Sequence, residues 1–268
     1  MEIPAGASSG VIAIDAGRSH VLALKSDGSV LAWGEDWGYG HLDVPPEALS
    51  GVVAISASAR NSVALKSDGS VIAWGSPDTG LNDVPAAARQ GVVPISAGEN
   101  HGLALKSDGS VVQWGWNYEQ PNVVPAEALS GVTTISAGPY HSMASKADGT
   151  IVIWTQHSNT PCWFTRIVRN AVAVAGGYQS CQVLLNDGSV ISESWPDGLN
   201  NGPFPVPPAA QSGVVSVSSG YNHNLAIKAD GTAFGWGHNA DSQATVPAKY
   251  RDVMAVAPGK DFSIILLE

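Results

Sequence analysis

The chain has few basic residues, few cysteines and no long apolar run. Lysine and arginine together number 13 against 23 aspartate and glutamate residues, so the formal net charge is −10 over 268 residues. Nucleic-acid binding requires a basic face, and this balance argues against such a partner. No apolar run is long enough for a membrane-spanning helix. The amino terminus lacks the regions of a signal peptide, so we expect a cytoplasmic protein, or a secreted one whose leader has been removed.

The two cysteines, Cys162 and Cys181, do not form a recognisable framework. They occupy non-equivalent positions of neighbouring repeat units, which favours two separate thiols over a disulfide. The sequence also has no spacing of histidine, cysteine or carboxylate residues that is typical of a metal site. We therefore predict neither a bound metal nor a cofactor.

A repeated unit of about forty residues fills nearly the whole chain. Clear copies begin GVIAIDAG, GVVAISAS, GVVPISAG and GVVSVSSG, and two degenerate copies precede the last of these. A fixed period of this length is typical of solenoids, propellers and arrays. We treat residues 1–268 as one domain, with units at about 10–50, 51–90, 91–130, 131–167, 168–212 and 213–250 and a last unit formed by 251–268 together with 1–9.

Each full unit carries three strand signals joined by tight turns. In the first unit they are VIAIDA, HVLALK and VLAWG. An Asp-Gly pair separates the second and third signals, which predicts a type I′ hairpin because both of its central residues need positive φ. The pairs are Asp27-Gly28, Asp68-Gly69, Asp108-Gly109, Asp148-Gly149, Asp187-Gly188 and Asp230-Gly231. Meanders arranged around an axis leave only short edges, which favours a β-propeller.

One tryptophan recurs in the third strand, and we expect it to pack between neighbouring blades. Its copies are Trp33, Trp74, Trp114, Trp154 and Trp236. The fifth unit has Glu193 at this position, and a charged side chain cannot fill the same apolar gap without a partner. That blade is therefore predicted to be either loosened or specialised.

The last unit is incomplete. Residues 251–268 supply only two strand signals, and residues 1–9 resemble the tail of a unit. The terminal strands are too apolar to remain unpaired, which favours seven blades over six. The predicted fold is all-β: a seven-bladed β-propeller with short three-stranded blades, closed by the two terminal segments in an incomplete last blade. An open strand edge there allows a monomer or a dimer formed by strand addition.

The pattern G-x-x-H-x-x-A-L-K-x-D-G-x-V-x-x-W-G resembles the regulator of chromosome condensation repeat. The tails VPPEALSGV and VPAEALSGV are similar to those of the beta-lactamase inhibitory protein II family, which consists of secreted seven-bladed propellers. This resemblance implies a protein-binding surface before the repeated histidine, where the inhibitor family has mostly aromatic residues. Only Tyr140, Tyr178 and Tyr221 keep an aromatic side chain there, so the resemblance implies a more polar contact surface here.

Antiparallel strands should place all the variable loops on one face of the propeller. The turn after the first strand and the loop after the third strand share that face, and the uniform Asp-Gly turns lie opposite. Function is expected on the variable face, because a rigid scaffold there carries loops that differ. Exposed aromatic and polar side chains mark binding surfaces, so we predict partner contacts from Trp37, Trp116, Tyr118, Tyr140, Trp163, Tyr178, Trp195, Tyr221 and His238.

A histidine ends the first turn of four units, as His20, His101, His141 and His223. A residue that is copied with the repeat is expected to make a local hydrogen bond within its turn. A ligand-binding or catalytic role of these imidazoles is the alternative.

Three functions fit these features. A protein-binding module is favoured by the resemblance and by the aromatic residues of the variable face. The second is an enzyme or small-molecule binder of unknown reaction class at the central mouth, whose candidate residues are His101, His141, His223, Glu99, Tyr140, Tyr178, Tyr221, Arg18 and Arg60. No nucleophile, phosphate-loop or paired-carboxylate signature supports it. The third is a lectin, which the unequal outer loops disfavour, since a repeat lectin should place one site in every blade.

Overall fold

The computed structural model describes residues 1–115, 123–155, 168–178, 180–194 and 205–268. The strands in these ranges are β1 (Val11–Ala16), β2 (His20–Lys25), β3 (Val30–Gly34), β4 (Val52–Ala57), β5 (Asn61–Lys66), β6 (Val71–Gly75), β7 (Val92–Ala97), β8 (His101–Lys106), β9 (Val111–Gly115), β10 (Val132–Ala137), β11 (His141–Lys146), β12 (Ile151–Thr155), β13 (Ala171–Gly176), β14 (Ser180–Leu185), β15 (Val190–Ser194), β16 (Val214–Ser219), β17 (His223–Lys228), β18 (Ala233–Gly237), β19 (Val253–Pro258) and β20 (Ser263–Leu267). The 3-10 helices are η1 (Ala5–Ala7), η2 (Pro46–Leu49), η3 (Pro77–Thr79), η4 (Ala86–Ala88), η5 (Ala126–Ala128) and η6 (Pro208–Gln211). None of these short helices has the length and apolarity needed to cross a membrane.

The strands of the described residues assemble into seven antiparallel sheets. Six are three-stranded meanders in chain order, from β1-β2-β3 to β16-β17-β18, and the seventh contains β19 and β20. The first strand of each sheet contacts the first strands of the neighbouring sheets, so these inner strands surround the axis. This architecture confirms the predicted seven-bladed propeller with an incomplete last blade. Dimer formation through that blade stays a prediction.

The ring closes between the last blade and the first. Trp33 of the first blade shares an apolar cluster with Phe262 and Ile264 of the last. Across the same junction, the backbone N–H of Lys260 donates to the carbonyl oxygen of Arg18 (3.3 Å). Closure therefore uses the same kind of packing as the other junctions.

The amino-terminal segment takes the place of a unit tail. Lys25 donates from Nζ to the carbonyl oxygens of Gly6 and Ser9. In the next unit Lys66 donates in the same way to the tail that precedes its blade. Residues 1–9 therefore act as the tail that leads into the first blade, as their sequence predicts.

The Asp-Gly hairpins differ from the predicted turn type. Gly28 has a φ of 80°, but Asp27 is not among the residues with positive φ. The N–H of Gly28 donates to the carbonyl oxygen of Lys25 (2.9 Å), and Asp27 Oδ1 accepts from the N–H and the hydroxyl of Ser29 (2.9 and 2.6 Å). The prediction of type I′ turns is therefore wrong. Each hairpin is a four-residue turn that is stabilised by the Asp side chain and ends in a left-handed glycine.

The recurring tryptophans pack between blades, as predicted. Trp74 of the second blade lies in an apolar cluster with Leu22, Leu24 and Val30 of the first. Its indole N–H donates to the carbonyl oxygen of His41 (3.0 Å), so the ring is both buried and anchored. Among the described residues, one such apolar cluster lies at every junction between neighbouring blades.

The junction between the fourth and fifth blades is built without a tryptophan. Glu193 replaces the indole, and the apolar cluster there contains Met143, Val183 and Cys181. Cys181 is disulfide-bonded, so the prediction of two separate thiols is wrong. The other cysteine, Cys162, lies outside the described residues. Aliphatic side chains and Cys181 thus take the place of the indole at this junction.

At one position of the inner strands, a side-chain oxygen accepts a hydrogen bond from the backbone of the next blade. Ser56 Oγ accepts from the backbone N–H of Ala97 in the next inner strand (3.0 Å), and serines of the next two blades make the same contact. The first blade has Asp15 at this position, and its Oδ2 accepts from the N–H of Ala57 (2.8 Å). Inner strands present an unpaired backbone edge to the axis, and these bonds satisfy part of it.

We expect Trp74→Ala to lower the free energy of unfolding by about 3–5 kcal/mol, because it leaves a cavity between two blades. Trp37→Ala is the matched control: Trp37 is 63% exposed, whereas Trp74 is 7% exposed. Loss of the exposed ring should change the free energy by less than about 0.5 kcal/mol. Urea denaturation followed by circular dichroism measures both variants, and equal effects would contradict the interfacial role of Trp74.

We expect Asp15→Ser to stabilise the protein at neutral pH. Burial raises the pKa of Asp15 from 3.8 to about 6, although hydrogen bonds from Ala57, Ala16 and Ser56 act in the opposite direction. A raised folded-state pKa stabilises the fold below the unfolded-state value, and this contribution is lost as the pH rises through the folded-state value. The substitution should therefore raise the free energy of unfolding at pH 7.5 by about 1–3 kcal/mol and change it much less near pH 4.

Urea denaturation of the wild type and the variant at both pH values tests this expectation. Serine is a matched replacement, because Ser56 already accepts a backbone hydrogen bond from the same position. A variant less stable than the wild type at pH 7.5 would show that the ionised carboxylate is needed at the axis.

Candidate functional site

The structure places the variable loops on one face, as predicted. In the first blade, the N–H of Glu35 in the loop after β3 donates to the carbonyl oxygen of Ser19 in the turn after β1 (2.9 Å). The second and sixth blades repeat this bond. The Asp-Gly turns lie at the other end of the strands, where Gly28 accepts from the N–H of Val52 in the next blade (3.0 Å). We call the surface that carries the differing loops the variable face.

A cavity of about 90 Å³ opens on the axis of the variable face. Every blade contributes the turn after its inner strand. We call this opening the axial mouth, and it is formed by residues 16–18, 58–59, 97–99, 137–139, 176–178, 219–221 and 258–260. Glycine, alanine and proline make up most of its wall, and the large side chains that line it belong to Arg18, Glu99, Tyr178, Tyr221 and Lys260.

Two tyrosines that line the axial mouth, Tyr178 and Tyr221, form an arc with a third, Tyr140. The rings of Tyr178 and Tyr221 stack with their centroids 4.0 Å apart and their planes 14° from parallel. Tyr140 meets Tyr178 at 5.6 Å and 60°. These residues come from the fourth, fifth and sixth blades, so their contacts join three separate turns into one aromatic surface. We call the three residues the tyrosine arc.

The basic residues of the mouth come from the first, second and seventh blades. Arg18 extends toward the tyrosine arc, and its guanidinium carbon lies 5.6 Å from the ring centroid of Tyr221. Arg60 instead lies over Tyr39, with its guanidinium carbon 5.0 Å from that ring centroid. Lys260 lines the mouth beside them. The first-blade arginine is therefore the cation that is placed against the arc.

Glu99 of the third blade also lines the mouth. Burial raises its pKa, and the positive charges of Arg18 and Arg60 oppose this by favouring the carboxylate. Arg18 thus interacts with Glu99 on one side and with Tyr221 on the other. Burial and a hydrogen bond with Tyr178 raise the pKa of Tyr221, so its hydroxyl keeps its proton at physiological pH.

The repeated histidines lie beneath the mouth and do not line it. All four of them are fully buried: His20, His101, His141 and His223. Nε2 of His101 lies 3.0 Å from Ser142 Oγ in the next blade, and Nε2 of His141 lies 3.2 Å from Cys181 Sγ. The predicted bond within the turn is therefore wrong, and so is the convergence of His101, His141 and His223 at the mouth. These imidazoles connect neighbouring blades.

The histidine rings are neutral in the folded protein. Burial lowers the pKa of these four side chains from 6.5 to about 3 in two of them and about 4 in the other two. The hydroxyl of Ser62 already donates to the carbonyl oxygen of His41 (2.9 Å), so His20 must donate from Nε2 to that hydroxyl (3.1 Å). A buried imidazole with this hydrogen bond is a structural link between blades.

The remaining predicted contact residues fall into two groups. Trp37 is exposed on the variable face and donates from Nε1 to Glu35 (3.2 Å). His238 lies in the loop after β18, where its Nδ1 accepts from Gln243 Nε2 (2.8 Å). The positions outside the described residues are Trp116, Tyr118, Trp163 and Trp195. A partner-binding role of each of these residues stays a prediction.

Two residues of the loop after β3 contribute to this face without having been predicted. His41 is fully buried, and its carbonyl oxygen holds the indole N–H of Trp74. His41 lies three residues before a Val-Pro pair, and Leu81 has the same position in the next unit. The carbonyl oxygen of Leu81 likewise accepts from the indole N–H of Trp114 (2.8 Å). This recurring position is the signal that could have identified His41. Tyr39 supports Arg60 on the rim, and a single tyrosine in an irregular loop carries no comparable signal.

Four stretches of the chain match the family model of the regulator of chromosome condensation (RCC1) repeat, at residues 11–40, 52–80, 92–120 and 214–243. Each begins at an inner strand and extends past the third strand, so each match coincides with one blade. These four blades are therefore similar to RCC1 repeats. The fourth and fifth blades lie outside the matched stretches, yet they have the same three-stranded order. No curated protein sequence matches the chain.

Solved propellers share the fold of this chain. Prp20p from Saccharomyces cerevisiae, whose structure is described with its binding properties to Gsp1p and histones, is 20% identical over 95% of this chain and 82% of that chain, with a TM-score of 0.71. Human WBSCR16 is 17% identical over 97% and 88%, with a TM-score of 0.71. The ectodomain of the Arabidopsis thaliana receptor kinase ACR4 is 16% identical over 96% and 91%, with a TM-score of 0.72. At these identities the likeness shows the fold alone.

The buried histidines should make the stability of this propeller decrease on acidification. The folded-state pKa of His101 is about 3, below its ordinary value of 6.5, so the unfolded chain takes up a proton first as the pH falls. The contribution is fully present above pH 6.5 and is lost progressively toward the folded-state value. At pH 5 one such histidine should reduce the free energy of unfolding by about 2 kcal/mol relative to neutral pH.

His101→Asn removes this titrating group, and asparagine occupies the same repeat position at Asn61. We expect the variant to be less stable at pH 7.5, because a link between blades is lost, but to depend less steeply on pH. Urea denaturation at several pH values between neutral and acidic measures the slope. A slope identical to that of the wild type would contradict a buried neutral ring.

Proposed function

We propose that this protein is a binding module that recognises a partner protein on its variable face, with the axial mouth at the centre of the contact. The tyrosine arc carries the proposal. Tyrosine and arginine are among the residue types that dominate protein–protein hot spots, and here they meet at the point where all seven blades converge. The opposite face carries the same Asp-Gly turn in six blades, so it offers little basis for recognising a particular partner.

Proteins of similar fold support this class of function. Prp20p is described with its binding properties to Gsp1p and histones, and a second structure holds yeast RCC1 (Prp20) bound to Kap60. The named partners are proteins in both cases. The sequence resemblance to the beta-lactamase inhibitory protein II family supports protein binding as well, through a contact surface that is more polar here.

The net charge favours one class of partner protein, and the disulfide bond favours one class of cellular compartment. The net charge of −10 favours a partner whose contact surface is basic. Cys181 is disulfide-bonded, and structural disulfides are rare in the cytosol. We therefore favour an oxidising compartment, and with it the secreted alternative of the two locations predicted from the sequence.

The proposal is tested by partner capture with the wild-type protein and with the double variant Tyr178→Ala/Tyr221→Ala. Both rings lie in the arc, and neither belongs to the apolar cluster at the junction of their blades, so the variant removes the stacked pair and leaves that cluster unchanged. A protein captured by the wild type should be recovered at least about 10-fold less by the variant, because truncating a hot-spot aromatic typically costs 2 kcal/mol or more. Quantitative mass spectrometry measures recovery, and titration calorimetry with the purified partner measures the affinity.

Asp68→Ala/Asp108→Ala on the opposite face is the matched control, since both carboxylates are exposed in equivalent turns. This control should capture the partner as the wild type does. Circular dichroism establishes that both double variants are folded. Undiminished capture by the tyrosine variant, or equal loss from both variants, would overturn the proposal.

A further inference from the structure

Arg18 lies where a bound cation would lie. Its guanidinium carbon is 5.6 Å from the ring centroid of Tyr221, and its charge acts on Glu99 across the mouth. The side chain is nevertheless exposed to solvent. It is therefore placed there by its contact with the ring of Tyr221 and by attraction to the carboxylate of Glu99, and tight packing does not hold it.

The groups around Arg18 form a cage for a positive charge. Glu99, Tyr178 and Tyr221 line the mouth, and Tyr140 contacts Tyr178. The four residues come from four successive blades, the third to the sixth. The face of an aromatic ring attracts cations, and a neighbouring carboxylate adds an ion pair. We call these four residues the cation cage.

Two other cations lie near the cage, and each has a partner outside it. Arg60 lies over Tyr39, although its charge also favours the carboxylate of Glu99. Lys260 forms an ion pair with Asp261 (3.1 Å). The cage side of the mouth therefore carries the charge of Glu99. A ligand carboxylate would have to approach that carboxylate, whereas a cation would be attracted to it.

We propose that the cation cage receives an arginine side chain of the partner protein, which displaces Arg18. This inference rests on the proposed function, because a partner must present the arginine. A guanidinium can stack on a tyrosine ring and donate to a carboxylate at the same time, and a basic contact surface also complements the net charge of −10. Displacement is easy, since an exposed cation–π contact is weak. Arg18 thus occupies, in the free protein, the site that the arginine of the partner would occupy.

The test uses an acetylated and amidated Gly-Arg-Gly peptide and the same peptide with citrulline in place of arginine. Citrulline has nearly the same shape but no charge. Protein labelled with ¹³C on tyrosine is titrated with each peptide, and the ring signals of the tyrosine arc report binding by NMR. Arg18→Ala should bind the arginine peptide with a dissociation constant at least about 5-fold lower than that of the wild type, because the internal competitor is gone. The citrulline peptide should bind neither protein.

Two further variants sharpen the test. Adding Glu99→Gln to Arg18→Ala should raise the dissociation constant at least about 5-fold, since the charge of the cage is lost. Lys249→Ala is the matched control for removing a cation–π pair, because Lys249 lies over Tyr250 (5.3 Å) away from the mouth. That control should leave the affinity for the peptide at the wild-type value.

Equal affinities of the wild type and Arg18→Ala would overturn the cation cage, and so would equal binding of the citrulline peptide. Either result leaves the proposed function standing if the tyrosine variant still loses its captured protein. Peptide binding that behaves as expected, with no partner recovered by the wild type, would overturn the proposed function alone.

Discussion

Packing between neighbouring blades is the interaction on which the whole structure depends. A short three-stranded meander cannot bury both of its faces, so each blade is stable only against the next one. The core of the described residues is accordingly divided among the junctions, one apolar cluster to each. Trp33 makes the closing junction equivalent to the others, because it meets Phe262 and Ile264 of the last blade. A rigid ring follows, and that ring fixes where the seven turns of the axial mouth lie.

Buried polar residues also connect neighbouring blades at these junctions. The first residue of the second strand in one blade meets the second residue of the second strand in the next, as His101 meets Ser142. Where the histidine is absent, its partner changes too: Ser180 Oγ donates to Asn224 (2.9 Å), and Phe262 packs in the cluster that contains Val21. The pair varies together because a buried donor needs an acceptor on the facing blade. This covariation within one chain identifies the histidine as a connector between blades.

Much of the fold was predictable because the repeat supplies several copies of each signal. The three strand runs, the junction role of Trp74 and the common face of the variable loops follow from periodicity and antiparallel order alone. The turn type was not predictable, since an Asp-Gly pair suits either hairpin and the sequence does not report the φ of Asp27. The role of His101 was missed because its partner lies one repeat away, and a single unit does not contain that offset. The direction of Arg18 depends on Tyr221 and Glu99, which belong to two other blades, and no local pattern encodes that.

Structural and binding positions are interleaved in the turn after each inner strand. In Gly-x-x-His the glycine makes room for the imidazole: a Cβ on Gly98 would lie 2.6 Å from Cε1 of His101. The histidine then ties its blade to the next, so both ends of the motif are committed to the fold. The side chains between them include Arg18, Glu99 and Tyr178, which line the mouth. The ring is held by other residues, so the side chains between glycine and histidine can differ in charge and aromaticity from blade to blade while the scaffold stays the same. Seven similar blades can therefore form one asymmetric mouth.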